Sequence, residues 1–161
     1  MIRALLFDWG NTIMQDFGLP GPMYEWEKVA WVDGAEGSLR ELSEIYPCYL
    51  ATNAGRSDAG AVLKALKRVG ADNYLKGIFA SSDIGFEKPD QRFFEEIMKH
   101  LKINAGDCAM IGDNYLKDIT GAKNCGMVTV FFNPHFKPGI YPMADQVIRF
   151  MGDLPAAIMN L

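Results

Sequence analysis

The chain has 161 residues, of which 49% are hydrophobic and 22% are charged, and this composition is that of one globular domain with a buried core. Its formal net charge of −4 provides no bulk basic field, so we expect no nucleic-acid partner through overall charge. No apolar run approaches the ~20 residues that cross a bilayer, so we expect no membrane partner.

Short apolar strands alternate with amphipathic helices along the chain. We predict strands near residues 3–8, 47–52, 77–81, 107–112, 127–132 and 145–149, and helices near residues 35–46, 57–69, 90–102, 115–124 and 153–160. In the first helix one apolar stripe is formed by Ala35, Leu39, Leu42 and Ile45. Such alternation is typical of an α/β fold in which helices cover both faces of a parallel sheet.

Residues 14–33 interrupt this alternation with glycines, prolines and aromatic side chains. We predict that they form a hairpin or flap followed by a short helix, lying over the C-terminal edge of the sheet. A second loop follows the fifth strand at the same edge. The candidates for contacts that select a substrate are Tyr24, Glu25, Trp26, His135 and Phe136.

The opening strand ends in an acid. Asp8 directly follows the apolar run Ala4-Leu5-Leu6-Phe7, and Thr12 comes four residues later. Parallel α/β sheets place their chemistry in the crevice outside the carboxyl ends of the strands. The sequence therefore predicts a functional carboxylate at this edge.

Three further polar clusters fall at corresponding positions. They are Thr52-Asn53 after the second strand, Lys88-Pro89 before the third helix, and Gly112-Asp113 with Asp118 after the fourth strand. Each cluster alone is weak, because turn and capping residues are common at such positions. All four in this order, at α/β spacing, indicate a single site.

This set of groups suits phosphoryl transfer. Asp8 can attack phosphorus to form an aspartyl phosphate, while Thr52 and Lys88 hold the phosphoryl oxygens. Asp8 and Asp113 would repel each other, since like charges roughly 4 Å apart cost about 4 kcal/mol at an effective dielectric constant of about 20. A divalent cation removes this conflict, and a set of oxygen ligands favours Mg²⁺.

The four clusters resemble the motifs of the haloacid dehalogenase (HAD) superfamily, from Ile2 to the last helix. Asp8 and Thr12 match the first motif, Thr52 the second, Lys88 the third, and Gly112-Asp113 with Asp118 the fourth. The resemblance implies a Rossmann-like parallel sheet sandwiched by helices and an aspartyl nucleophile. In most members it also implies Mg²⁺ and phosphate-ester hydrolysis, with a phosphorylated substrate as the partner.

The resemblance also implies a role for each site residue. The metal would be held by Asp8, the backbone carbonyl of Gly10 and Asp113. Asp8, Thr52 and Lys88 would be catalytic, and Asp118 and Asn114 would support them. The groups expected to contact the phosphate are Thr12, Thr52, Asn53 and Lys88.

The chain departs from the family at Gly10, where phosphatases of this superfamily usually carry a second Asp that protonates the leaving group and activates water. General acid–base catalysis contributes roughly 10²–10⁴-fold. We therefore expect slow hydrolysis, or a restriction to good leaving groups or to substrates that bring their own acid. We also expect a longer-lived phosphoryl-enzyme.

Three alternatives stay open. Haloacid dehalogenases also lack the second Asp, but they work without a metal and lack the Gly-Asp that Asp113 retains here. C–P hydrolases acting on phosphonoacetaldehyde need a Schiff-base lysine from an inserted cap, and only Lys28 lies in that interval. A binding or regulatory domain with an impaired site would explain Gly10, although charged groups such as Lys88 are expensive to keep for packing alone.

We expect a single domain spanning residues 1–161 without a cap, because residues 54–87 hold only one predicted helix and one strand and residues 14–33 are too few. Small ligands are usually mostly buried, so an open crevice suggests a large substrate or a homo-oligomer that covers the site. The 3 cysteines lack CxxC spacing, as in reduced intracellular proteins, and the strand after Met1 leaves no room for a signal peptide. These features favour a cytoplasmic location.

Overall fold

The structure, a computed structural model, describes residues 1–161. Six strands form one sheet: β1 Ala4–Phe7, β2 Cys48–Thr52, β3 Gly77–Ala80, β4 Cys108–Gly112, β5 Val128–Phe132 and β6 Gln146–Ile148. Every strand pair is parallel, and the order is β3-β2-β1-β4-β5-β6. The strand order changes direction beside β1, and such a switch point opens a crevice at the carboxyl ends of the strands.

The helices are α1 Ala35–Ser43, α2 Ala59–Val69, α3 Ser81–Ile84, α4 Gln91–Leu101, α5 Gly121–Asn124 and α6 Leu154–Met159. A π-helical stretch, Tyr115–Thr120, leads directly into α5. Single 3₁₀ turns lie at Met23–Glu25, Ala71–Tyr74, Ala105–Asp107 and Met151–Asp153. No helix is long and apolar enough to cross a membrane. The predicted α/β fold with a Rossmann-like parallel sheet is confirmed.

Helices pack on both faces of the sheet because successive side chains of β1 point to opposite sides. Leu5 and Phe7 belong to one buried cluster, which also holds the apolar residues of α1, α2 and α6. Ala4 and Leu6 belong to the other, which includes Phe93 of α4 and the apolar residue of α5. A strand buried on both faces reads as a continuous apolar run, which explains why the sequence identified it.

Aspartate side chains cap the start of the two longest helices, and a glycine ends one of them. The carboxylate of Asp58 accepts a hydrogen bond from the Ala61 N–H at the start of α2, and Asp90 accepts one from the Arg92 N–H at the start of α4. Gly70 ends α2 in the left-handed region, with φ of 78°, which glycine adopts without strain. Asp58 and Asp90 are therefore capping residues.

Residues 14–33 form an irregular segment. Of the predicted hairpin or flap and short helix, neither a hairpin ladder nor an α-helix is present. The segment contains one isolated antiparallel bridge, between Met14 and Trp31, and one 3₁₀ turn. Its four closely spaced glycines and prolines account for this, because proline cannot donate to a strand ladder. The guanidinium of Arg68 on α2 donates to the carbonyls of Tyr24 and Trp26, so the segment is tied to the helical layer.

Candidate active site

The strand register brings the predicted polar residues to one edge. Phe7 of β1 lies beside Leu50 of β2 on one side and Ile111 of β4 on the other. The Asp8 N–H then donates to the Ile111 carbonyl over 2.9 Å, which continues the β1–β4 ladder. Asp8 therefore lies between the ends of β2 and β4, where Thr52 and Asp113 are located.

Lys88 supplies a buried positive charge to this edge. Its side chain is 2% exposed, and Nζ lies 2.6 Å from Asp8 Oδ1 and 2.7 Å from Asp118 Oδ1. A third bond, 2.8 Å long, runs from Nζ to the Ala51 carbonyl, so every proton of the ammonium is used. Burial alone lowers the pKa of Lys88, but the charges of Asp8 and Asp118 outweigh it and the net shift is upward. The ammonium is fixed in place and charged.

Asp118 holds this lysine from the opposite side. It is 1% exposed, and its Oδ2 accepts the Asn114 N–H over 3.0 Å while Oδ1 accepts Lys88. Burial, and then the charge of Asp8, raise the pKa of Asp118, while Lys88 and the Asn114 N–H oppose the rise. The same ion pair raises the pKa of Lys88, and the geometry is that of two charged partners.

Gly112 makes room for Asp118. A Cβ atom at this position would lie 2.2 Å from Asp118 Oδ2 and 2.4 Å from its Cγ, closer than van der Waals contact allows. Residue 112 must therefore be glycine for Asp118 to occupy its position.

Thr12 lies beneath the carboxylates. It is fully buried, with Oγ1 3.4 Å from both Asp8 Oδ2 and Asp113 Oδ1, and it does not line the cleft. The Thr12 hydroxyl contacts the two acids and does not line the cleft, so the predicted contact between Thr12 and phosphate is not supported. Burial, and then the charge of Asp8, raise the pKa of Asp113 to about 6.

Three carboxylates face a single ammonium here. Oxygens of Asp8, Asp113 and Asp118 lie within 4.8 Å of one another. Because Asp118 is buried while Asp8 and Asp113 are partly exposed, the acids best placed to share a cation in the cleft are Asp8 and Asp113. The excess negative charge and the oxygen-only donors fit a hard divalent ion such as Mg²⁺. Gly10, whose carbonyl was the predicted third ligand, lines the same cleft.

A cleft of about 540 Å³ opens above these groups. The residues that were predicted for the site and that line the cleft are Asp8, Gly10, Thr52, Asn53, Lys88, Asp113, Asn114 and Asp118. Asn114 contributes its backbone N–H to Asp118, and its side chain accepts the Lys117 N–H at the start of the π-helical stretch.

Asn53 positions Lys88 in addition to its predicted phosphate contact. Its Nδ2 donates to the Lys88 carbonyl over 2.8 Å, and its Oδ1 accepts the Lys88 N–H over 2.8 Å. Both ends of the amide position Lys88, and the second proton of Nδ2 stays available for the predicted phosphate contact.

The substrate-contact candidates separate into two groups. Trp26 lines the cleft, and Tyr24 lines a neighbouring depression. Glu25, His135 and Phe136 line neither of them. His135 is exposed, and the Phe136 ring lies 4.6 Å from the guanidinium carbon of Arg149, so the structure gives neither residue access to the site.

Sequence reasoning missed several residues that line the cleft, among them Asn11, Asp16, Ser57 and Lys117. Asp16 and Asn11 belong to the turn that follows Asp8. An acid within the glycine-rich segment predicted to cover this edge was the available signal for Asp16.

Comparisons with known proteins identify the family of this chain. A family model described as haloacid dehalogenase-like hydrolase matches residues 23–126. The HAD-hydrolase YfnB of Bacillus subtilis is 30% identical over 110 residues, which are 68% of this chain and 46% of YfnB. A glyceraldehyde 3-phosphate phosphatase of Methanopyrus kandleri is 29% identical over 142 residues, 83% of this chain and 61% of that protein.

The matched part of this chain thus spans less than two thirds of either relative's length. A crystal structure of YfnB bound to magnesium superimposes with a TM-score of 0.81 at 22% identity, over a span covering 99% of each chain. That likeness supports the fold, and the family match covers well over half of the sequence. The chain therefore belongs to the haloacid dehalogenase-like hydrolases.

Proposed function

We propose that the chain is a Mg²⁺-dependent phosphohydrolase that forms an aspartyl phosphate on Asp8. The observation that carries this proposal is the 2.6 Å contact between Lys88 Nζ and Asp8 Oδ1, in a cleft where Asp113 adds an acid without an ammonium partner. This arrangement orients a nucleophilic carboxylate and leaves an oxygen-rich position for a cation. Relatives named as phosphatases support the same chemistry.

The residues divide the work as follows. The Asp8 carboxylate attacks phosphorus, and the fixed charge of Lys88 offsets the negative charge of the phosphoryl oxygens. Thr52, at the end of β2, offers its hydroxyl to those oxygens. Mg²⁺, held by Asp8, Asp113 and the Gly10 carbonyl, would neutralise the acids and polarise the phosphoryl group. Asn53, Thr12 and Asp118 keep these groups in position.

The substrate class we propose is a phosphorylated small molecule. One relative is named glyceraldehyde 3-phosphate phosphatase, and another, from Streptococcus pneumoniae, is named pyrimidine 5′-nucleotidase PynA. Residues 14–33 provide one wall of the cleft through Leu19, Met23 and Trp26, so the apolar part of a substrate would meet this segment.

The test is phosphate release from sugar phosphates, nucleotides, acyl phosphates and phosphopeptides, each with Mg²⁺ and with EDTA. We expect turnover of at least one class that requires Mg²⁺ and is lost in Asp8→Asn. The matched control is Glu41→Gln, which changes an exposed acid on α1 and should behave as wild type. Turnover that survives EDTA or Asp8→Asn would contradict the proposal.

A second candidate is a binding domain with an impaired site, and Gly10 is the observation that favours it. Such a protein would be stabilised by Mg²⁺ in thermal melts, yet it would release phosphate from none of these esters. Trapping a phosphoryl group on Asp8 excludes this candidate.

A further inference from the structure

We propose that Asp16 is the acid–base residue of this site and carries out the proton transfers for which Gly10 has no side chain. The inference rests on the proposed phosphohydrolase function. It assigns a further catalytic residue, located in the segment that covers the cleft.

The first argument is an inventory of the charged groups in the cleft. Those that line it are Asp8, Asp16, Lys88, Asp113, Lys117 and Asp118, and no histidine lines it. Asp8 is the nucleophile, Asp113 faces the cation position, and Asp118 is bound to Lys88. Lys117 is an exposed ammonium, suited to attract an anionic substrate. Asp16 is the one carboxylate in the cleft that neither pairs with Lys88 nor faces the cation position.

The second argument is position. A Cβ atom built on Gly10 would lie 3.5 Å from Asp16 Cβ and 3.7 Å from Asp16 Oδ2. The Asp16 side chain therefore borders the space into which a side chain of residue 10 would extend. Residue 10 is two positions after the nucleophile Asp8, and Gly10 and Asp16 both line the cleft.

The third argument is that Asp16 is held in a defined orientation. Its N–H donates to Asn11 Oδ1 over 3.0 Å, and its Oδ1 accepts the Gly18 N–H over 2.9 Å. Asn11 adopts a positive φ of 59°, which turns the chain back so that Asp16 approaches Gly10. Oδ2 accepts no hydrogen bond from the chain, which leaves the oxygen nearer to Gly10 free to exchange a proton.

The two half-reactions balance with Asp16 in this role. Asp8 forms a bond to phosphorus, the bond between phosphorus and the ester oxygen breaks, and its electron pair stays on the leaving oxygen. That oxygen takes the proton of the Asp16 carboxyl and departs as an alcohol. Asp16 then removes a proton from water, whose oxygen bonds to phosphorus as the bond to Asp8 breaks. Inorganic phosphate leaves, Asp8 is again a carboxylate, and Asp16 is again protonated.

The experiment compares Asp16→Asn with wild type on two esters, an alkyl phosphate and p-nitrophenyl phosphate. Asn keeps the Oδ1 that accepts the Gly18 N–H, so the turn is retained. We expect kcat/KM for the alkyl ester to fall by roughly 10²-fold or more, since its leaving oxygen needs a proton. For the nitrophenyl ester, kcat/KM should change little, while hydrolysis of the phosphoryl-enzyme slows. A burst of one nitrophenol per protein and a phosphorylated Asp8 in acid-quenched samples are then expected.

Two further variants make the result decisive. Glu27→Gln, an exposed acid in the same segment that does not line the cleft, should match wild type on both esters. Adding Gly10→Asp to Asp16→Asn should restore turnover of the alkyl ester, because an Asp at residue 10 reaches the same space. Equal kcat/KM losses on both esters without a burst, or no loss at all, would overturn the inference. Turnover in Asp8→Asn would instead overturn the proposed function.

Discussion

The side chain of Lys88 shows how much of this site depends on charge balance. Its ammonium is the one cation bound to two buried or half-buried acids, and both would be left unpaired without it. Removing one partner of a buried ion pair leaves an uncompensated charge, which is more costly than never having had the pair.

We therefore expect Lys88→Met to lower the free energy of unfolding by roughly 3–5 kcal/mol in EDTA, measured by urea denaturation. The double variant Lys88→Met with Asp118→Asn should recover part of this loss. The neutral Asn can still accept the Asn114 N–H and no longer carries a buried charge. A double variant that is less stable than Lys88→Met alone would show that Asp118 is not held by this pairing.

At Asp113, in contrast, we expect that removing the charge stabilises the metal-free protein. Burial and the nearby Asp8 charge raise the pKa of this carboxyl to about 6, so the ionised form is disfavoured in the metal-free protein. Asp113→Asn should raise the melting temperature by a few degrees in EDTA and abolish the further rise on adding Mg²⁺. Wild type should gain about 2.7 kcal/mol at a Mg²⁺ concentration 100 times the dissociation constant. Asp33→Asn, an exposed acid that does not line the cleft, is the control and should keep the full Mg²⁺ response.

Among the helices, glycine has different purposes in α1 and α5. A Cβ atom at Gly37 of α1 would meet nothing within 4 Å, whereas at Gly121 of α5 it would lie 2.8 Å from the Phe94 ring and 2.9 Å from Pro89 Cα. The close approach of α5 to the segment carrying Lys88 thus requires glycine at residue 121. At residue 37 of α1, glycine is optional.

This contrast gives a matched pair of variants. Gly37→Ala should stabilise the protein by roughly 0.5–1 kcal/mol, because alanine loses less backbone entropy in a helix. Gly121→Ala should destabilise it, since backbone at Pro89 must move. Urea unfolding of both variants under the same conditions measures the difference. A Gly121→Ala variant as stable as Gly37→Ala would contradict the packing described here.

An element can be predicted from the sequence when the residues within it carry the signal for it. The four inner strands β1, β2, β4 and β5 are largely buried on both faces and therefore appear as apolar runs, which makes them visible in the sequence. The predicted stripe in α1 is wrong at its end, because the helix stops at Ser43 and Ile45 is 61% exposed. No glycine or proline follows Ser43 within three residues to signal that stop.

In the site, too, the sequence predicted the residues at strand ends but not the contacts that depend on tertiary packing. The convergence of Asp8, Thr52 and Asp113 follows from parallel strands alone, and the structure brings them together. The pairing of Lys88 with Asp118, and the approach of Asp16 to Gly10, depend on tertiary packing and on the positive φ of Asn11. Periodicity carries no information about such contacts.

In the molecule as a whole, residues 14–33 are joined to the helical layer through the Arg68 guanidinium. This segment also supplies one wall of the cleft. The position of this segment relative to Asp8 and Lys88 therefore depends on contacts made outside the site.

We expect Arg68→Met to raise KM several-fold while kcat and the melting temperature change little, because the wall loosens but the core is untouched. The neighbouring exposed residue gives the control, and Lys67→Met should leave KM unchanged. Steady-state kinetics on the best substrate from the screen make the comparison. An unchanged KM in Arg68→Met would show that the wall holds its place without this anchor.

The position of β1 in the middle of the sheet has a consequence for biosynthesis. Asp8 leaves the ribosome before β4, its hydrogen-bonded neighbour on one side, because β4 lies far along the chain from β1. Thr12 and Asp113, for example, are 101 residues apart. Until β4 is made, the nascent sheet presents an open strand edge, the kind of surface that invites wrong pairing. The cleft is complete only when β4 has paired with β1, so a chain that stops before β4 would carry Asp8 without Asp113.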